Sequence, residues 1–180
     1  TRAFGMEMIN FTFDSAVRKK APFTVAFIDL DDFKQINDRY GHDYGDRILG
    51  EVGDSLMARF RRSDLVVRWG GEEFLILLPE LDMYRAQEVL DRVMAPGLAK
   101  LESGQVQKAS VGLSERLEDA IALPQNLIEL ADRRMYDAKK RRDHDDMIAD
   151  GLSGRHALAK RSKASMPSGS SVRSVDQSAN

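Results

Sequence analysis

The sequence predicts an α/β fold in which a central sheet, mixed but mostly antiparallel, is flanked by helices. Two observations predict it. Stretches with helical apolar periodicity alternate with short runs that are almost entirely apolar, and a glycine pair separates two of those runs. The chain has 180 residues, enough for one domain with a substantial core. We find no internal repeat.

Apolar periodicity predicts five helices, most of them with a recognisable start or end. The first ends in three cations, which favour a helix C-terminus, before Ala21-Pro22 breaks it. Asp31 or Asp32 is expected to cap the second helix, and a turn over 41–45 is expected before the third. The helices are expected at 1–20, from 31 or 32 to about Tyr40, from Asp46 onward, over 82–101 and up to about Arg142.

Four runs of apolar, β-branched and aromatic residues predict strands. The first is nearly all apolar, which is typical of a strand buried on both faces. The second and third flank Gly70-Gly71, which predicts a hairpin that Pro79 ends. The fourth contains the small residues Ala109 and Gly112. The strands are expected at 23–30, 65–69, 74–78 and 106–113.

The composition limits the classes of function. With 29 acidic and 27 basic residues, the net charge of −2 argues against wholesale electrostatic capture of nucleic acid or an anionic membrane. Without cysteine, disulfides, thiolate zinc sites and cysteine nucleophiles are excluded, and three histidines supply a multi-histidine metal site poorly. No apolar run approaches the ~20 residues of a membrane span, and no secretory leader is visible.

The composition changes near residue 150. Residues 151–180 hold eight serines, five basic residues and one acid, with few large apolar groups. Such a segment cannot offset its ordering entropy by burial. We therefore expect a domain over 1–148 and a disordered, serine-rich, basic tail over 149–180, with an interaction role for its positive charge as the alternative.

Three carboxylates lie at the carboxyl end of the first predicted strand, in the segment Asp29-Leu30-Asp31-Asp32. Open α/β sheets bind ligands beyond the carboxyl ends of their strands. Mg²⁺ takes carboxylate and carbonyl oxygens and often shares substrate phosphates, which Lys34 in the following turn would meet as a point charge. The alternative interpretation is that Asp31 and Asp32 are helix caps and Asp29 is a strand-end charge.

A second acidic cluster lies at the predicted hairpin. Gly70-Gly71 permits a tight turn and a close approach to the backbone, and Glu72-Glu73 places two carboxylates directly after it. A purely structural hairpin needs the glycines but not two adjacent like charges. Two acidic sites on neighbouring strands would supply a metal from both sides. The flanking Trp69 and Phe74 are interpreted as strand packing.

These residues carry a resemblance to a known family. The segment 70–74, Gly-Gly-Glu-Glu-Phe, matches the signature of the GGDEF family, the diguanylate cyclases, in its GGEEF form. The segments 29–38 and 41–46 resemble the family's metal- and guanine-binding region, 109–113 resembles its late strand, and 131–139 its last helix. The matches occur in the family's order, and they imply a ferredoxin-like fold similar to the palm of nucleotidyl cyclases.

The resemblance implies an activity, the condensation of two GTP into cyclic di-GMP and two pyrophosphates where two protomers of a homodimer face each other. By similarity, Asp29 and Glu72 would bind Mg²⁺ or Mn²⁺ with the Leu30 carbonyl assisting. Glu72 or Glu73 would accept the proton of the attacking ribose hydroxyl, and the sequence does not choose between them. Catalysis would rest on positioning and metal charge.

The resemblance also implies which residues contact GTP. They are Phe33, Lys34, Asn37, His42, Asp46 and Lys139. Asn37 and Asp46 would recognise guanine, since a carboxylate accepts from its N1–H and amino group and an amide pairs with its edge. Lys34 and Lys139 would hold phosphates. His42 would lie near the base or ribose, with a turn histidine making a structural hydrogen bond as the equal alternative.

A second family feature lies upstream of the hairpin. Arg61 and Asp64 form an R-x-x-D pattern, with five residues between it and the glycine pair. In the family this pattern is the inhibitory site for intercalated product dimers, and an arginine fork suits phosphate and guanine. Arg92 would be the auxiliary arginine. A loop salt bridge is the ordinary interpretation of such a pattern.

The chain departs from the family pattern at both ends. Only Thr1-Arg2 could remain of a D-x-L-T-G-L-x-N-R segment, so we expect a truncated N-terminal edge, weaker activity than that of the parent protein and an upstream sensory or receiver domain. After the last helix, 139–144 replaces a glycine-arginine-asparagine motif. Arg142 would substitute as a phosphate ligand, or the run is a solvated helix end. GTP as substrate and the lack of a leader suggest the bacterial cytosol.

Two other classes of function remain open for this sequence. One is a non-catalytic receptor that binds cyclic di-GMP at Arg61 and Asp64, or GTP at the main site. Degenerate receptors generally lose some of the acids that this chain keeps, which favours the enzyme. The other is an acidic pocket that accepts phosphate on Asp29, in which the glycine hairpin would have no role.

Overall fold

The computed structural model describes the backbone of residues 2–164 and the side chains of 2–145 and 147. Thr1–Arg141 forms one unit and Arg142–Asn180 another. The elements in chain order are α1 (Arg2–Lys19), β1 (Phe23–Leu30), α2 (Phe33–Tyr40), α3 (His42–Arg59), β2 (Leu65–Gly70), β3 (Glu73–Pro79), α4 (Met83–Met94), β4 (Ala109–Glu115) and α5 (Pro124–Ala164).

The four strands form one sheet in the order β2-β3-β1-β4, and every neighbouring pair is antiparallel. The expected α/β fold with a mostly antiparallel sheet is confirmed, but the expected parallel pairs do not occur among the described strands. The helical crossovers do join strands that run the same way. However, β3 lies between β1 and β2, and β1 lies between β3 and β4, so no two parallel strands are neighbours.

The sheet has a hydrophobic core on each face, because successive strand residues point to opposite sides. One core contains side chains of α2, α3 and α4 and the other contains side chains of α1 and α5. All eight residues of β1 are buried, as expected for a central strand covered on both faces. Odd-numbered positions of β1, such as Val25 and Phe27, face α1 and α5. Asp29 continues that row at the strand's carboxyl end.

Several element boundaries differ from those expected. The helix α3 begins at His42, not Asp46, so the turn expected over 41–45 is wrong; Gly41, with φ of 87°, makes the turn alone. The helix expected over 82–101 already ends at Met94, two residues before Pro96-Gly97. The following segment folds back on itself through a bridge between Lys100 and Val106, and β4 therefore starts only at Ala109.

The last helix continues beyond its expected end. The sequence places the end of this helix near Arg142, whereas the structure carries it through Ala164. The division into a domain over 1–148 and a disordered tail over 149–180 stays a prediction. The rest of the predicted tail, 165–180, lies outside the described residues. Among the described helices, none has the length and apolar character needed to cross a membrane.

Candidate active site

The two acidic segments of the sequence meet at one edge of the sheet. Asp29, next to last in β1, pairs directly with Glu73, the first residue of β3. The Leu30 amide donates to the Glu72 carbonyl at 3.3 Å, so the end of β1 is joined to the tip of the hairpin. The residues expected to hold a metal and to accept a proton are therefore brought together at the end of β1 and at the hairpin turn that precedes β3.

The tip of the β2–β3 hairpin is a tight turn that depends on glycine. Gly71 adopts a φ of 47°, in the left-handed region that favours glycine, and the register between β2 and β3 shifts between Arg68 and Gly70. The Arg68 guanidinium donates to the Gly71 carbonyl at 3.0 Å. Trp69 and Phe74 are both buried in the cores, which confirms that they pack the strands.

The helix α5 brings a cation to the acidic edge. The Lys139 ammonium donates a hydrogen bond to a carboxylate oxygen of Asp29, although 110 positions separate the two in sequence. The resemblance implied that Lys139 holds phosphate, and its position beside Asp29 places it at the expected metal and phosphate site. Contact with phosphate itself stays a prediction.

Burial and neighbouring charges raise the pKa values of two carboxylates at this edge. Burial raises the pKa of Asp29 above its ordinary value, with Glu72 and Asp31 adding to the increase and Lys139 opposing it. Burial also raises the pKa of Glu73, and the neighbouring carboxylates of Asp29, Asp132 and Glu72 raise it further while Arg2 opposes them. Raised pKa values from clustered acids are typical of sites that bind cations or move protons.

The donors at this edge suit a hard divalent cation. Asp29 and Glu72 offer carboxylates and Leu30 offers a backbone carbonyl, and oxygen ligands of this kind are those that Mg²⁺ prefers. Within the described part of the chain, no group of three or more His, Cys, Asp or Glu is arranged to hold a metal ion by itself. In Mg²⁺ sites, one or two carboxylates commonly share the ion with substrate phosphates and water.

A second cluster forms where α2 and α3 meet. A Cβ atom built on Gly45 would lie 1.9 Å from the Asn37 side-chain oxygen and 3.2 Å from the Phe33 ring, so the Asn37 amide packs on the bare backbone of α3. Asp46 is the next residue of α3, and it is exposed. The two residues expected to recognise guanine are therefore brought to the same corner. Phe33 is buried, and its ring packs next to Gly45 at this corner.

The remaining residues expected to contact GTP lie close to this corner in sequence. His42 is the first residue of α3, one helical turn before Asp46, and it is exposed rather than held in a turn. Lys34 is exposed in the first turn of α2. Their contacts with a nucleotide stay predictions.

The helix cap expected at Asp31 or Asp32 does not form. Asp32 precedes α2 with a φ of 56° and makes no side-chain cap hydrogen bond. The Asp31 carboxylate instead accepts from the Ser110 hydroxyl at 2.8 Å. Ser110 could not be found from the sequence, because nothing local in β4 signals a partner 79 positions away. The sequence also gives no signal for Arg2, whose guanidinium lies over the Trp69 ring and opposes the increase in the pKa of Glu73.

The R-x-x-D pattern forms a preassembled corner. The Arg61 guanidinium donates to Asp64 at 2.7 Å and to the Pro79 carbonyl at 2.6 Å. Asp64 is almost fully buried, whereas half of the Arg61 side chain remains exposed. Arg92 is exposed near the end of α4, and the described contacts do not join it to Arg61. In the unit that begins at Arg142, that residue pairs with Asp143.

Comparisons with known proteins agree with this arrangement. Residues 1–145 match the family model described as diguanylate cyclase, GGDEF domain. Diguanylate cyclase DosC of Escherichia coli K12 is 35% identical over 130 residues, which are 70% of this chain and 28% of that protein. The chain therefore spans less than a third of the length of this relative.

Solved structures of two Pseudomonas aeruginosa proteins are similar to the chain. The GGDEF domain of PA1120 (YfiN or TpbB) has a TM-score of 0.72 and 34% identity, covering 78% of this chain and 89% of that domain. Diguanylate cyclase SiaD, in complex with its activator SiaC, has a TM-score of 0.71 and 34% identity, and the match covers 78% of this chain and 55% of SiaD. Because the family model covers most of the chain and the fold and motif residues agree with it, the chain belongs to the GGDEF family of diguanylate cyclase domains.

Proposed function

We propose that this domain condenses two GTP into cyclic di-GMP and two pyrophosphates, with two protomers of a homodimer facing each other. One observation carries the proposal: Asp29 and Glu73 are direct cross-strand partners, and Glu72 is joined through its carbonyl to Leu30. Nucleotidyl transfer from GTP requires acidic residues placed together in this way. A domain that only binds a nucleotide does not require them.

The residues at the edge divide the work of the reaction. A bound Mg²⁺ or Mn²⁺ would supply charge that favours attack on the α-phosphorus, and Asp29, Glu72 and the Leu30 carbonyl would hold it. Glu73 would take the proton from the ribose 3′-hydroxyl, since its raised pKa makes it a better base than an ordinary glutamate. Lys139 would balance the negative charge of the triphosphate.

The corner between α2 and α3 would position the guanine of GTP. Asn37, held against the backbone at Gly45, would pair with the guanine edge, and Asp46 would accept from its N1–H and amino group. His42 and Lys34 would lie along the ribose and phosphates. Because one active site holds one GTP, the second must come from the facing protomer.

The proposal also concerns partners beyond the nucleotide. SiaD is similar to this chain and was crystallised with an activator protein, and this chain spans a small part of DosC. Both facts support an upstream sensory or receiver domain, or an activator, that brings two protomers together. A GTP substrate also supports a location in the bacterial cytosol.

The experiment that tests the proposal is incubation with GTP and Mg²⁺ or Mn²⁺ at protein concentrations high enough for dimers, followed by chromatography of the nucleotides. Cyclic di-GMP and pyrophosphate are expected as products. GTP binding without product would favour the receptor alternative and contradict the cyclase.

Gly45→Ala is expected to weaken GTP binding. Its Cβ would lie 1.9 Å from the Asn37 oxygen, so the amide must move away from its guanine-pairing position. Loss of one such hydrogen bond corresponds to a KM for GTP about 10-fold higher. Steady-state kinetics and calorimetric GTP binding measure it.

Gly50→Ala is the matched control. Gly50 lies on the same helix, and its Cβ would meet nothing within 4 Å. It is expected to leave KM unchanged and to raise stability by about 0.5–1 kcal/mol, as alanine does in helices. Equal KM values for both variants would contradict the assignment of Asn37.

Arg61→Ala is expected to relieve product inhibition at the R-x-x-D corner. The half-exposed guanidinium, already oriented by Asp64 and the Pro79 carbonyl, is suited to bind phosphate and guanine. The concentration of cyclic di-GMP that halves the rate should rise at least about 10-fold, since charged hydrogen bonds contribute about 1.5–3 kcal/mol. The adjacent Arg62→Ala is the control, and similar inhibition of both variants would argue against this site.

A further inference from the structure

A network of buried polar groups holds the loop between β1 and α2 against β4. The Asp31 side chain accepts from the Ser110 hydroxyl at 2.8 Å. The Asp31 amide donates to the Lys108 carbonyl at 3.0 Å, and its carbonyl accepts from the Gln107 side-chain amide at 2.8 Å. All three polar groups of Asp31 are therefore anchored to β4 or to the residues that lead into it.

This network lies next to the oxygens expected to bind the cation. Asp31 directly follows Leu30, and Ser110 lies opposite Asp29 in the register of β1 and β4. On the side of β1 that faces β3, the Leu30 amide donates to the Glu72 carbonyl of the hairpin. The Leu30 peptide is thus held from both neighbouring segments, and Asp31 provides the anchor on the β4 side.

The network is not used to start the helix that follows. Asp32 makes no side-chain cap bond, and its φ of 56° is one that residues other than glycine rarely adopt. A backbone in such a conformation persists only where its surroundings hold it. The bonds of Asp31 to Ser110 and Gln107 supply that restraint one residue earlier.

We propose that Asp31, Ser110 and Gln107 form a clamp that positions the Leu30 carbonyl and the Asp29 carboxylate for a divalent cation. Asp31 is a positioning residue in this clamp, because its side chain accepts from Ser110 and its backbone is bonded to Lys108 and Gln107. The inference rests on the proposed function, since it concerns how the same site presents its oxygens. Groups that orient metal ligands from outside typically change metal affinity or activity by about 10–100-fold.

Ser110→Ala tests the clamp, because it removes only the hydroxyl donor. Mn²⁺ binding to the protein alone, measured by electron paramagnetic resonance, is expected to weaken about 10-fold. The Mg²⁺ concentration for half-maximal activity should rise by a similar factor, with activity recovering at saturating Mg²⁺. Ser110→Thr keeps the hydroxyl and is expected to restore both values.

Ser114→Ala is the matched control on the same strand. The Ser114 hydroxyl is also buried and donates to the Leu127 carbonyl at 2.6 Å, but it lies beside Val25, far from the acidic edge. This variant should lose thermal stability and keep its Mn²⁺ affinity. Unchanged Mn²⁺ affinity in Ser110→Ala, with the same stability loss as Ser114→Ala, would overturn the clamp.

Two further variants keep the result decisive. Asp31→Asn retains an acceptor oxygen for Ser110, so Mn²⁺ affinity should fall less than in Asp29→Asn. A loss as large as that of Asp29→Asn would make Asp31 a ligand and overturn the inference. If Ser110→Ala does not fold, Gln107→Met removes the other anchor and should weaken Mn²⁺ binding likewise. A wild-type protein that binds Mn²⁺ but makes no cyclic di-GMP would contradict the cyclase alone, since the comparison of variants still tests the clamp.

Discussion

Glu73→Gln is expected to abolish cyclic di-GMP synthesis and, at the same time, to make the domain more stable. The amide cannot accept the proton of the ribose hydroxyl, and loss of a general base lowers kcat by about 10²–10⁴-fold. In the folded protein Glu73 lies directly opposite Asp29 and near Glu72, whose charges raise its pKa. Removing one of two like charges that face each other across strands stabilises by roughly 0.2–1 kcal/mol.

The stability gain of Glu73→Gln should depend on pH. Because the folded-state pKa of Glu73 is raised, the stability linked to its protonation is fully present below the ordinary glutamate pKa and is lost as pH rises through the folded value. The variant should therefore melt about 1–3 °C above the wild type at neutral pH, and the difference should vanish in acid. Thermal unfolding at several pH values measures it.

Two comparisons make the test of Glu73 specific. Glu88→Gln, at an exposed position of α4, should change neither rate nor melting temperature. Glu72→Gln should lose activity that excess Mg²⁺ partly restores, because its carboxylate is expected to hold the ion, whereas Glu73→Gln should stay inactive at any Mg²⁺ concentration. Substantial activity of Glu73→Gln with inactivity of Glu72→Gln would exchange the two roles.

Gly112→Ala is expected to cause the largest loss of stability of any alanine substitution at a glycine described here. A Cβ at this position would lie 2.0 Å from the Ala131 carbonyl oxygen and 2.2 Å from the Met135 amide nitrogen. Both are backbone atoms of α5, so the clash cannot be relieved by rotating a side chain. The helix must move away from β4, at a cost of about 3 kcal/mol or more.

The displacement of α5 should also reach the active site. Lys139 is on the same helix and contacts Asp29, so residual folded Gly112→Ala protein should be less active as well as less stable. Urea unfolding and the cyclase assay measure the two effects. Gly53→Ala is the control, since its Cβ would meet only the Phe74 ring, at an ordinary 3.9 Å. A urea midpoint equal to that of the wild type would show that α5 is not packed on Gly112 as described.

Features that depend on a few consecutive residues were predictable. The run 23–30 was recognised as a doubly buried strand because nearly every residue is apolar, and all eight are buried. The hairpin followed from Gly70-Gly71, since glycine provides the backbone conformation that the turn requires. The beginning of α3 was placed four residues late, because Gly41, His42 and Gly45 resemble a turn. Only the packing of Asn37 on Gly45 explains why that glycine lies within a helix.

By itself, the sequence determined the α/β class, the family resemblance and the acidic residues of the site, because apolar periodicity and a short motif are local properties of the chain. The tertiary structure alone decided which partner each of those residues has. It places Lys139 on Asp29, ties Asp31 to Ser110 and sets α5 against Gly112. The physical reason is that these contacts join residues distant in sequence, and their geometry depends on strand register and helix packing, which no local pattern specifies.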